Sequence, residues 1–179
     1  NTATGSGALL YNTSGAMGSA HGFRALFRNT TASQNTALGA YALCGNTTGD
    51  KNTASGYQAL LYNTVGVRNT ASGHYALRQN TTGNENAAVG YQALLNNTTG
   101  GGNMAFGAHA LCSNTSASTN SAFGLCSLYS NTTGTNNAAF GGFSLYSNTT
   151  GNCNTALGRS SMGANTTGCF NTAIGTFAL

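Results

Sequence analysis

The chain has no proline and no tryptophan, and its 179 residues carry only two carboxylates, Asp50 and Glu85. Charged residues make up 4%. Each of these gaps narrows the reading. Proline cannot donate to a β ladder, so its absence suits a stack of coils in which nearly every backbone N–H is needed. With so few acids, bases and nucleophiles, the sequence predicts no catalytic centre and no cofactor. His21, His74 and His109 stand in separate copies of a repeat and predict no metal cluster. The formal charge of +4 comes from basic residues scattered over six positions, which gives no electrostatic footprint for nucleic acid. No apolar run approaches the roughly 20 residues that cross a bilayer, so no membrane span is expected. Weak charge also means weak repulsion between copies, which favours side-by-side association.

What fills the sequence is a 17-residue unit, seen whole in Asn35 to Lys51, NTALGAYALCGNTTGDK. Copies open at Asn1, Asn35, Asn52, Asn69, Asn86, Asn103, Asn120, Asn137, Asn154 and Asn171, with Gly18 in the remaining opening position. Ten full units and a partial eleventh cover residues 1–179 without one insertion or deletion. The whole is one repeat array, in which each unit packs only on its neighbours. Because it opens and closes on repeat positions, without an initiating Met, it reads as a segment of a longer or processed protein.

In register the unit is N-T-A-x-G-x-x-A-L-x-x-N-T-T-G-x-x. Position 3 is always Ala, position 5 always Gly, position 12 always Asn and position 13 always Thr. Position 9 is Leu except for Met162. Glycine at two places per unit, with Asn and Thr around it, disfavours helix. The expectation is an all-β solenoid, a parallel β-helix or β-roll of 17-residue coils about 4.8 Å apart, which makes a rod of ~50 Å. The two Asn-Thr segments ending in Gly are assigned to corners, where Asn tolerates left-handed backbone. The stretch x-x-A-L-x-x is assigned to the longer side. Leu at position 9 should point inward, with small Ala at positions 3 and 8. Position 4, which includes Leu38, Phe106, Phe123, Phe140 and Ile174, should be at least half-buried. Asn columns at positions 1 and 12 should exchange amide hydrogen bonds up the rod.

Candidate sites are few. Asn12, Asn29, Asn46, Asn80, Asn97, Asn114, Asn131, Asn148 and Asn165 each open an N-x-Ser/Thr sequon, the acceptor motif for N-glycans. The competing reading is structural: Asn-Thr also recurs at position 1, where Ala at position 3 forbids a sequon. Five cysteines cannot all pair within one chain. Only Cys153 and Cys169 lie in adjacent coils at neighbouring positions, the one geometry open to a disulfide. The Thr column at position 13 raises ice binding, which prefers outward Thr in alternate positions. Tyr residues at positions 6, 7, 10 and 11 could stack on sugars or pack a neighbouring chain.

The unit NTAxGxxALxxNTTGxx resembles repeats of bacterial and bacteriophage fibre proteins, among them tail-fibre-like proteins. Its Asn35-Thr36-Ala37-Leu38-Gly39 element is similar to the head repeats of trimeric autotransporter adhesins. The resemblance implies an extracellular, often trimeric β-solenoid acting as a stalk or adhesive surface. The expected function is therefore a structural, non-enzymatic subunit of an extracellular fibre or filament, partnered by its own copies. An adhesin head or stalk recognising cell-surface glycans is the alternative, and an ice-binding solenoid is a third reading.

Overall fold

A computed structural model describes residues 1–179 as an all-β solenoid with no helix. Each repeat forms one coil, and each coil contributes one three-residue strand at positions 2 to 4. These are β1 Thr2–Thr4, β2 Ser19–His21, β3 Thr36–Leu38, β4 Thr53–Ser55, β5 Thr70–Ser72, β6 Ala87–Val89, β7 Met104–Phe106, β8 Ser121–Phe123, β9 Ala138–Phe140, β10 Thr155–Leu157 and β11 Thr172–Ile174. They pair in chain order as one parallel sheet of 11 strands. The register never slips, so that Ala3 faces Ala20 and Ala88 faces Ala105.

Most coil-to-coil bonding lies outside this sheet. Of 121 backbone hydrogen bonds, only 20 belong to the strands. The rest show how a chain with three-residue strands remains a rod. In the sixth coil, Gly90 and Ala93 close one turn and Leu94 and Asn97 close the next, each through an N–H to a carbonyl three residues back (3.4 and 3.2 Å). Between those closures the N–H groups point alternately along the rod. Gln92 donates to His74 in the coil before, and Leu94 donates to Ala110 in the coil after.

That alternation requires an unusual backbone. Position 9 is left-handed in every coil, with φ of 49–52° from Leu9 to Met162. Position 7 is left-handed too, at residues as varied as Arg24, Tyr41, His109 and Phe143. A left-handed non-glycine residue costs roughly 1–2 kcal/mol. At position 9 the side chain is fully buried from Leu26 to Leu145. Burying a leucine stabilises by about 1.5–3 kcal/mol, enough to offset the strain. At position 7 the offset comes from the backbone ladder itself.

The core is a narrow seam of three columns. Ala at position 3, Ala or Ser at position 8 and Leu or Met at position 9 are sealed from solvent along almost the whole rod. Two of the three core serines close locally, Ser127 donating to the Gly124 carbonyl and Ser144 to that of Gly141, while Ser161 donates to the Ala173 carbonyl of the next coil. Gly at position 5 has no substitute. At Gly90, with φ of 132°, an added Cβ would lie 2.7 Å from the carbonyl of Gly107 in the next coil.

Two assignments made from sequence need correction. The first Asn-Thr segment carries the strand, and the x-x-A-L-x-x stretch is a pair of turns with no extended side. Position 4 is also turned outward. A strand alternates faces, so once Ala at position 3 points in, positions 2 and 4 both point out. Leu38 is 54% exposed and Ile174 is 70% exposed.

Candidate functional surfaces

The Asn columns are the most ordered polar feature. At position 1, the backbone N and Nδ2 of Asn86 both donate to Oδ1 of Asn69 (3.0 and 3.1 Å). At position 12, Nδ2 of Asn97 donates to Oδ1 of Asn80 at 2.8 Å and to the Gly100 carbonyl at 2.9 Å. From Asn29 to Asn148 this second column is buried. Its members include the sequon residues Asn29, Asn46, Asn80, Asn97, Asn114, Asn131 and Asn148. Each amide nitrogen donates once within its own coil and once to the asparagine of the coil before, and the nitrogen that would carry a glycan is sealed from solvent. These residues therefore do not fit glycan acceptors in the folded rod. Asn12 and Asn165, in the outer coils, are part-exposed, yet they too donate to position 15, the Gly15 and Gly168 carbonyls. The Thr hydroxyls of position 13 from Thr13 to Thr149 also turn into the ladder, donating to the threonine carbonyl of the next coil, as from Thr47 to Thr64 at 2.9 Å.

Cys153 and Cys169 do not form the disulfide that their spacing allowed. All five cysteines are free. Cys169 Sγ instead accepts from the Asn152 backbone N at 3.2 Å. Cys44, Cys112 and Cys126 have thiol pKa values raised by burial, at Cys44 against the lowering pull of Arg28 and Arg24. No group of three or more His, Cys, Asp or Glu residues is placed to hold a metal ion.

The outer surface divides into three faces. The sheet face, positions 2 and 4, has no Asp, Glu, Lys or Arg in any coil. Its early coils carry Thr and Ser with His21 and Leu38 among them. From Val89 on, position 4 is wholly apolar: Phe106, Phe123, Phe140, Leu157 and Ile174. The three Phe rings stack nearly parallel, with centroids 4.9 and 5.0 Å apart and interplanar angles of 2° and 9°. That spacing is the coil repeat itself.

The second face is the edge at positions 16 and 17. Asp50, Lys51, Arg68 and Glu85 all stand there, and their charges cancel. Arg68 pairs with Glu85 at 2.8 Å, well exposed on both sides, so this bridge contributes little.

The third face is the double turn, positions 6, 7, 10 and 11. It holds Arg24, Arg28, Arg78 and Arg159, and so the entire net charge of the chain. It also holds most of the aromatic contacts. Tyr57, His74 and Tyr91 stack in sequence at 5.1 and 5.6 Å. Arg24 lies over Phe23 and Phe27, and Arg159 over Phe177. The pairing of Arg78 with Gln58, through Nε at 2.8 Å, was missed by sequence reasoning. Nothing in the repeat pattern marks it, because positions 7 and 10 vary freely from coil to coil.

Comparison with known proteins found no family, curated protein or solved structure that matches the chain significantly.

Proposed function

We propose that this chain is a structural segment of an extracellular fibre or filament, in which copies associate along the sheet face as a trimer or larger bundle. The observation that carries this reading is the outer face of the 11-stranded sheet, free of Asp, Glu, Lys and Arg, with its stacked column of Phe106, Phe123 and Phe140. A face without charge meets its own copy without repulsion. Sheets packed face to face close at about 10 Å with inner side chains interdigitated, and identical ladders can form dry contacts of this kind. The backbone ladders and the two Asn columns supply the stiffness a fibre needs, without a large core. The aromatic column lies in the later coils, so lateral association should be tightest there.

Sedimentation of the purified chain tests the reading, alongside imaging of the particles by cryo-electron microscopy. The expected result is a discrete bundle or filament of rods in side-by-side contact. Phe123→Lys, which places a charge in the middle of the aromatic column, should release single rods with the same circular dichroism. A chain that remains monomeric at every concentration, or a bundle indifferent to Phe123→Lys, would overturn the proposal.

A further inference from the structure

The turn face is interrupted once by a concave site. In the position-11 column, Arg28, Gly45 and Tyr62 follow one another in successive coils. Gly45 leaves a gap between its two large neighbours, whose backbones stand two coil spacings apart, about 10 Å. The gap cannot readily be filled from below, because a Cβ on Gly45 would lie 2.7 Å from the Leu61 carbonyl. The resulting cavity has a volume of about 290 Å³. Arg28, Arg78, Tyr41, Tyr62, Gln58 and Cys44 stand around it.

Its chemistry is directional. Arg78 is fixed in place: Nε donates to Gln58 Oε1 at 2.8 Å, and Cζ lies 5.1 Å from the Tyr62 ring centroid and 5.4 Å from that of Tyr75. Its Nη donors have no acceptor in the protein, although a guanidinium carries five N–H groups in a rigid fork. Arg28 likewise has no carboxylate partner; the single ion pair of the chain is Arg68 with Glu85. Both carboxylates of the chain belong to the edge at positions 16 and 17. Burial raises the pKa of the Cys44 thiol, so it adds no competing negative charge at neutral pH. A preorganised, unpaired guanidinium can hold a carboxylate through two parallel hydrogen bonds. Tyrosine rings offer an apolar face with a polar tip. The volume sits at the lower end for small-molecule sites.

We propose that this notch binds a saccharide unit bearing a carboxylate, such as a uronic acid residue. Arg78 holds the carboxylate, Arg28 closes the opposite wall, and Tyr41 and Tyr62 pack against the sugar ring. A bare inorganic anion would use the arginines and leave the tyrosines idle; a neutral sugar would do the reverse. This site is independent of the fibre reading, since a single rod could bind and a bundle could fail to.

The test is titration of the full chain with D-glucuronate, followed by NMR, with D-glucose and inorganic phosphate as comparison probes. Glucuronate should shift resonances of Gly45 and Tyr62 and bind more tightly than either comparison probe. Arg78→Gln should weaken glucuronate roughly tenfold or more, while Arg159→Gln, the same charge change in a distant coil of the same face, should leave it unaltered. Tyr62→Ala should also weaken glucuronate and leave phosphate unaffected. Thermal melts of the variants separate loss of binding from loss of fold. The proposal is overturned if glucuronate gives no shifts, if glucose or phosphate binds as well, or if Arg78→Gln and Arg159→Gln behave alike.

Discussion

Asn86 and Asn97 meet on a single atom: the Nδ2 of each donates to the carbonyl oxygen of Gly100, at 2.9 Å in both cases. One comes from the start of the coil and the other from the far side of its double turn. The bond pair closes the coil across its interior, where water cannot substitute. The same closure recurs at Gly49, Gly66 and Gly83. The second coil shows the incomplete form, because Gly18 replaces Asn and the Ala32 carbonyl receives only Asn29.

Asn97→Ala should therefore destabilise the rod by about 1–3 kcal/mol, since it strands Oδ1 of Asn80 and removes one donor from Gly100 in a buried setting. Asn96→Ala, next door and exposed, should stay within about 0.5 kcal/mol. Urea denaturation of the two variants measures the difference. Equal effects would show that the amide column contributes nothing beyond surface polarity.

Leucine at position 9 is held at a φ that β-branched residues tolerate poorly. Leu94→Ile, ordinarily worth less than about 1.5 kcal/mol in a core, should exceed that value here. Leu94→Met should be mild, as Met162 already shows that methionine fits this backbone. Comparing the two melting temperatures decides the point, and an isoleucine variant as stable as the methionine one would refute the strain argument.

Gly90→Ala should cost roughly 2–4 kcal/mol, combining disfavoured φ with a clash against the next coil. Because each coil contacts only its neighbours, the loss should be local. Hydrogen exchange is expected to quicken in the coils around Gly90 and stay slow near Ala20 and Ala156.

Expression in a glycosylating host should yield no glycan on Asn46, Asn80, Asn97, Asn114 or Asn131 in folded material, by peptide mass spectrometry. Sugar found there on a natively folded rod would contradict the buried amide column.

The thiols give a pH-dependent readout. Burial raises Cys44, Cys112 and Cys126, so the folded chain keeps these protons to higher pH than the unfolded chain does. Their contribution to stability is intact below the ordinary thiol range. It declines as pH rises from the unfolded value through the raised folded value. Alkylation of Cys44 and Cys112 should accordingly lag behind that of exposed Cys169 across the alkaline range. Equal rates would mean that the burial is not sustained in solution.

The solenoid, its 17-residue coil and the inward Leu and Ala columns were all legible in the sequence, because a fixed period in Ala37, Leu43 and Asn46 can only be satisfied by stacking like on like. The placement of the strand was not. Three residues, Thr36–Leu38, are too few to show an alternation of their own, and Asn-Thr beside Gly has the composition of a turn. The left-handed leucines were hidden for a different reason: nothing in a Leu side chain announces positive φ, and the conformation is imposed by hydrogen bonds to neighbouring coils. The buried role of the sequon asparagines was legible in part, through the matching Asn-Thr of position 1. The notch was illegible because it depends on Gly45 being smaller than residues 17 away on either side, a contrast visible only once the coils are laid over one another.

The unbroken repeat has a consequence for how such a molecule can change over time. Removing or adding a single residue would carry every later column out of line, whereas gaining or losing a whole unit leaves the Ala, Leu and Asn columns aligned. Gene segments that encode near-identical units are prone to unequal recombination, and here such events would yield another intact rod. Length is thus the trait this architecture can vary most freely, in steps of one coil, while its cross-section stays the same.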